Sequence, residues 1–153
     1  MDLDQRMKHL ERKISNQLDN LTQDNNNTRD VNFSKKNPRV KVLPSGIKQY
    51  LIHKGDKTHF PKVGDQVTVQ YIGKLEDCTV FDSSVKKGTP FKFVVGQGQV
   101  IKGWDLVITT LSKGQREMVY IPSKLAYGAK GAGNGRIPPN ANLIFDIRLL
   151  SIQ

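Results

Sequence analysis

The chain has 153 residues, 37% hydrophobic and 25% charged, with a formal net charge of +10. That length supports one compact domain with a proper core plus an extension, and the composition excludes wholesale disorder. No apolar run approaches the roughly 20 residues of a membrane span.

At the N-terminus, MDLDQRMKHLERK lacks the apolar core of a secretory signal. The lone Cys78 cannot form an internal disulfide. An intracellular address, cytoplasmic or nuclear, with no membrane contact, is therefore expected. Leu3, Met7, Leu10, Ile14, Leu18 and Leu21 recur at helical spacing, which predicts an amphipathic helix over about 2–22. An isolated helix of this length is only partly formed in water. Its apolar stripe calls for either a partner chain, through self-association or a partner helix, or docking on the domain itself. DNNNTRD, residues 24–30, ends the pattern as a polar linker. Residues 1–38 are thus expected to be an extension and 39–153 the domain.

Residues 31–63 hold Lys35, Lys36, Arg39, Lys41, Lys48, Lys54, Lys57 and Lys62 against Asp56 alone. This segment reads either as a weak nucleic-acid contact tracking phosphates or as a solubilising linker. No recognition helix or stacking platform accompanies the charge.

From residue 39 the pattern changes to short alternating runs broken by Gly and Pro. RVKVL (39–43), GIKQYLIH (46–53), QVTVQYIGK (66–74), FKFVV (91–95), QREMVYIP (115–122) and LIFDIRLLSI (143–152) read as strands. Val67, Val69 and Tyr71 share one face, as do Phe91, Phe93 and Val95, and Leu143, Phe145, Ile147 and Leu149. Thr68, Lys92, Asp146 and Arg148 place the other face in water, which favours antiparallel pairing. One helix is predicted, Trp104 to Ser112, closed by Gly114. The fold class is α+β.

Tyr71, Phe81, Phe91, Trp104, Tyr127 and Phe145 come from different elements and read either as an ordinary aromatic core or as the walls of a pocket. VFDSS places Asp82 directly after Phe81, at the border of an apolar cavity or on the surface. AYGAKGAGNGRIPPNAN, with Tyr127 and Ile137, is too long for a tight turn and lies where loops carry function. His9, His53 and His59 are not paired with Cys or Glu at metal-ligand spacing, so no metal is expected. There is no GxSxG and no P-loop, and GQGQVIKG matches a dinucleotide fingerprint only loosely, so no cofactor is expected either. What remains is chemistry that an apolar pocket performs by itself.

YIGKLEDCTVFDSS, PFKFVVGQGQVIKGWD, LSKGQREMVYIPSKLAYG and IPPNANLIFDIRLL follow one another in an order that resembles the FKBP-type peptidyl-prolyl isomerases, the macrolide-binding immunophilins. The resemblance spans about residues 46–153. It implies a five- or six-stranded antiparallel β-sheet wrapped around one short α-helix. It also implies cis-trans isomerase (rotamase) activity assisting protein folding, with proline-containing peptides and proteins and rapamycin-like macrolides as ligands. The same resemblance places Tyr71, Phe81, Asp82, Trp104, Tyr127 and Phe145 in the catalytic pocket. Phe91, Val100, Ile101 and Ile137 complete the binding surface. The Ile101 N–H and the Tyr127 hydroxyl are its implied donors to bound carbonyls. Ile101 precedes the predicted helix, where unpaired amide donors are expected in any case.

The chain departs from the family pattern at three places. Lys87 stands where an arginine faces the aspartate, and lysine has no bidentate fork. Cys78 replaces a turn glycine, and Arg136 an aliphatic loop residue. A proline-segment binding module, or a nucleic-acid-associated scaffold with incidental turnover, is the competing reading.

Overall fold

The computed structural model of the protein describes residues 40–153. The amphipathic helix, the linker and the domain boundary read from residues 1–38 lie outside them. Seven strands form one antiparallel sheet: β1 (Val40–Val42), β2 (Lys48–His53), β3 (Gln66–Leu75), β4 (Val80–Ser83), β5 (Phe91–Val94), β6 (Arg116–Ile121) and β7 (Leu143–Ile152). Their order is β1-β2-β6-β7-β3-β4, with β5 also on β3.

Among the described residues two α-helices accompany them, α1 (Ser84–Lys87), a single turn, and α2 (Lys102–Ile108), with three short 3-10 turns between β6 and β7. The six strands read from alternation are all present, and the seventh, β4, corrects the expected count of five or six. With only four residues, VFDS, it runs straight into the Ser83 cap of α1 and has no room for a period-2 pattern. The main helix is also shorter than the predicted 104–112 and begins earlier. It ends where Thr109 and Thr110 turn their hydroxyls onto the Leu106 and Val107 carbonyls, an alternative to further helical turns. Gly114 (φ 87°) does not cap it. It serves the turn into β6, where its N–H donates to the Leu149 carbonyl.

The sheet curls around α2, and one cluster forms between them. Val67, Val69, Phe93, Val95, Leu143, Ile147 and Leu149 meet Trp104, Val107 and Ile108 there. The alternating faces predicted to be buried together therefore do meet, except for Phe91, which is 37% exposed at the rim. Close approach of helix to sheet depends on Gly103. A Cβ there would stand 2.6 Å from Ile121 Cγ2.

Below the end of α2 lies a polar cluster. Gln49 Nε2 donates to Thr110 Oγ1 at 2.8 Å and to Glu117 Oε2 at 2.9 Å, and Gln115 Nε2 donates to Glu117 Oε1 at 2.8 Å. Burial pushes the Glu117 carboxyl up, against the opposing pull of these two amides.

One edge of β3 is divided. β5 pairs with Gln66–Val69 and β4 with Ile72–Lys74. Between them Ser84 Oγ accepts the Tyr71 N–H at 2.8 Å and donates to Gln70 Oε1 and the Tyr71 carbonyl. The divided edge also lets α1 tuck in beside Tyr71, at the mouth of the cavity described next.

Candidate active site

Four strands, β3, β4, β5 and β7, and the start of α2 bring the rings together. Alternation on β3 turns Tyr71 inward, and on β7 Phe145. Across from Phe145 lies Gly73, whose missing side chain admits two rings. A Cβ there would be 2.6 Å from Phe81 Cζ and 3.0 Å from Phe145 Cε1. Trp104 sits in the first turn of α2 at the centre of the group, its ring centroid 4.9 Å from Tyr71 and 5.2 Å from Phe145, both at 80°. Phe81 stands edge-on to Phe145 at 5.7 Å, and Phe91 edge-on to Trp104 at 6.0 Å. Such edge-to-face pairs are the preferred aromatic geometry.

These rings do not close on one another. They line an open cavity of about 230 Å³ together with Asp82, Lys87, Gln99, Val100, Ile101 and Tyr127. Trp104 is only 5% exposed, so the cavity rests on a floor that is otherwise packed into the core. Its Nε1–H is buried and has no hydrogen-bond partner, so the indole offers the cavity apolar surface and no satisfied polar edge. A second depression of about 260 Å³ lies on the other side of the sheet among Gln70, Ile72, Arg116, Asp146 and Arg148. Apart from Tyr71 it has no ring, and Arg116 and Asp146 are already joined there by two hydrogen bonds.

The polar groups sit at the rim. The Tyr71 hydroxyl donates to Asp82 Oδ2 at 2.6 Å, and Lys87 Nζ lies 2.9 Å from Asp82 Oδ1. Burial pushes the Asp82 carboxyl up, but the bonds from Tyr71 and Lys87 outweigh it and hold it below the usual range. Desolvation and the same bond to Asp82 push the Tyr71 phenol well above its ordinary value. Burial also raises Tyr127, which is 40% exposed and stands at the start of the long Gly/Pro loop. Ile101 is the N-cap of α2, and its N–H has no acceptor among the described residues.

Nine of the ten residues singled out from sequence line this cavity. Ile137 does not. It is 6% exposed inside the core cluster and pairs with Ala132 across the loop. Two lining residues, Lys87 and Gln99, were not among the ten. Lys87 is the last residue of α1, and Gln99 reaches back to accept the Val94 N–H at 3.0 Å. Nothing in the local pattern marks Gln99, because its place depends on how the Gly96–Gly98 turn folds over. Cys78 adopts φ 73° in its exposed turn, so the replacement of glycine leaves a side chain in left-handed backbone.

A family model described as FKBP-type peptidyl-prolyl cis-trans isomerase matches residues 57–150. FK506-binding protein 1 of Kluyveromyces lactis is 54% identical over 99 residues, 65% of this chain and 86% of that protein. The protein named peptidyl-prolyl cis-trans isomerase Fkbp12 of Drosophila melanogaster is 45% identical over 108 residues, 71% of this chain and 99% of that protein. Among solved structures, the crystal structure of AtFKBP13 superposes with a TM-score of 0.69 at 36% identity, over 74% of this chain and 98% of that one.

Proposed function

Because the chain belongs to the FKBP-type peptidyl-prolyl cis-trans isomerase family, an enzyme of that kind, we propose that it turns X–Pro bonds in the ring-lined cavity over Trp104. The open hollow above a packed indole carries this reading. A peptide bond resists rotation by roughly 18–20 kcal/mol because resonance gives C–N double-bond character and puts charge on oxygen. The twisted amide has lost that charge separation. An amide moved from water into the cavity gives up solvation of its planar, polar form, while the twisted form has less to lose.

On this reading Trp104 receives the proline ring, and Phe81, Phe91 and Phe145 form the walls. The Ile101 N–H and the Tyr127 hydroxyl hold the flanking carbonyls. Asp82, fixed by Tyr71 and Lys87, borders the rim. Val100 extends the apolar floor toward the entrance. No group has to give or take a proton.

The same surface would accept a rapamycin-like macrolide, in keeping with the FK506-binding proteins to which the chain is similar. A role in assisting slow X–Pro exchange during protein folding follows from the chemistry. An intracellular setting is supported by the exposed free thiol of Cys78. Lys41 and Lys48 point to opposite faces of the sheet, since they pair at adjacent positions of β1 and β2, and this favours the solubilising reading of the basic segment over a phosphate-tracking one.

The test is catalysis on a short Xaa-Pro peptide series. Acceleration that rapamycin suppresses supports the proposal. Proline-peptide binding with no acceleration would leave the molecule a binding module.

A further inference from the structure

The second depression, on the sheet face turned away from α2, gathers hydrogen-bond donors that have nothing to donate to. In register across β6, β7 and β3, Arg116 faces Arg148, and Arg148 faces Gln70. Like charges set directly opposite each other on a sheet repel. The carboxylate lining the depression, Asp146, lies in the next row, and both its oxygens are taken by Arg116 at 2.9 and 2.6 Å. Arg148 is exposed and has no hydrogen-bond or ion-pair partner among the described residues. Gln70 Oε1 accepts from the Ser84 hydroxyl, and its Nε2–H groups have no acceptor there either.

The backbone shapes the hollow. The register of β3 on β7 shifts between Thr68 and Val69, which leaves Leu150 as an extra residue on β7, and a bulge of this kind bends and twists its strand. Val85, on α1, is 59% exposed and closes one side, and Ile72 lies on the wall beside it. With Arg116 and Asp146 cancelling, the lining keeps one net positive charge, that of Arg148. A singly charged, planar carboxylate matches both that charge and the two-pronged geometry of a guanidinium. A phosphate group carries close to two negative charges at neutral pH and would be left under-compensated beside Asp146. Ile72, Val85 and Leu150 suit an aliphatic neighbour of the carboxylate.

We infer that this depression docks an acidic-aliphatic peptide segment of a partner protein. Its Asp or Glu carboxylate is held by Arg148 and the Gln70 amide, and an adjacent aliphatic side chain lies on Ile72, Val85 and Leu150. The net charge of +10 draws such a partner in at low ionic strength. The site is distinct from the ring-lined cavity, since α1 presents Val85 to one and Lys87 to the other. The inference rests on the unanswered donors of this face and not on the isomerase reading.

The probe is the peptide acetyl-Leu-Glu-Leu-amide, titrated at low salt into the isotope-labelled full chain while amide signals are followed by NMR. Acetyl-Leu-Gln-Leu-amide and inorganic phosphate are titrated beside it. The Glu peptide should shift the signals of Gln70, Ile72, Val85 and Arg148 while those of Gln99 and Tyr127 stay in place. Removing the charge, in the Gln peptide or in Arg148→Gln, should weaken binding by about tenfold or more. The spectrum of the variant itself reports that the domain is folded. Unmoved signals on this face, equal binding of the two peptides, or undiminished binding by Arg148→Gln would overturn the proposal, as would shifts centred on Gln99 and Tyr127. Phosphate that moves the same signals at lower concentration than the Glu peptide would make this a phosphate site and overturn it as well.

Discussion

Trp104 contributes a ring and no satisfied polar edge, because its Nε1–H is buried without a partner. Trp104→Phe keeps an apolar ring and removes an unsatisfied donor, so activity on a proline peptide should stay within about tenfold, a barrier change of ~1.4 kcal/mol. Trp104→Ala opens the floor, with an expected stability loss of about 3–5 kcal/mol and a larger loss of activity. Thermal unfolding beside the peptide assay separates the two costs. At Gly73, even one methyl group would meet Phe81 and Phe145 at 2.6 and 3.0 Å, so Gly73→Ala should lower kcat/KM and macrolide affinity together by displacing the walls. Asp82 is held below the ordinary carboxylate range, and Tyr71 and Tyr127 above the ordinary phenol range. None of the three changes charge between about pH 5 and pH 9. Activity measured across that window should therefore be flat, and a bell centred near neutrality would show that a proton transfer had been missed.

Among the elements, β6 carries the least expected group, a carboxylate facing the core. Glu117 is 6% exposed, and its folded pKa is raised chiefly by burial. Its contribution to stability is therefore present below the ordinary glutamate value of about 4.3 and lost as pH rises through the higher folded value. Glu117→Gln should remove that component of the pH dependence of Tm, whatever it does to the absolute stability. The strands themselves were largely legible, because one wet face and one dry face impose a period of two on β3, whereas on β6 and β7 the alternation breaks where Tyr120 and Ile144 on the outer face are buried as well. β4 and α1 were not, since four-residue elements carry no period. The end of α2 was set by two threonine hydroxyls choosing the backbone over another turn, a competition that composition alone does not decide. The ring positions were legible through resemblance, whereas their spacing around a hollow, and the exclusion of Ile137 from it, depended on long-range register.

For the whole molecule, the cavity and the core share one floor, so ligand binding and folding are coupled. A macrolide at about 100 times its Kd should stabilise the folded state by ~2.7 kcal/mol. In a domain of this size that is a rise in Tm on the order of ten degrees. A scan with and without rapamycin reads it directly, and the rise should disappear in Trp104→Ala.

The divided edge of β3 has a further effect. A sheet usually ends in a rail of unpaired backbone donors and acceptors onto which a neighbour's strand can be added. Here one rail is broken into two four-residue pieces with a serine plugging the gap. Along that rail, no run of backbone is long enough to template a foreign strand, so this edge should not seed strand addition between copies in concentrated solution.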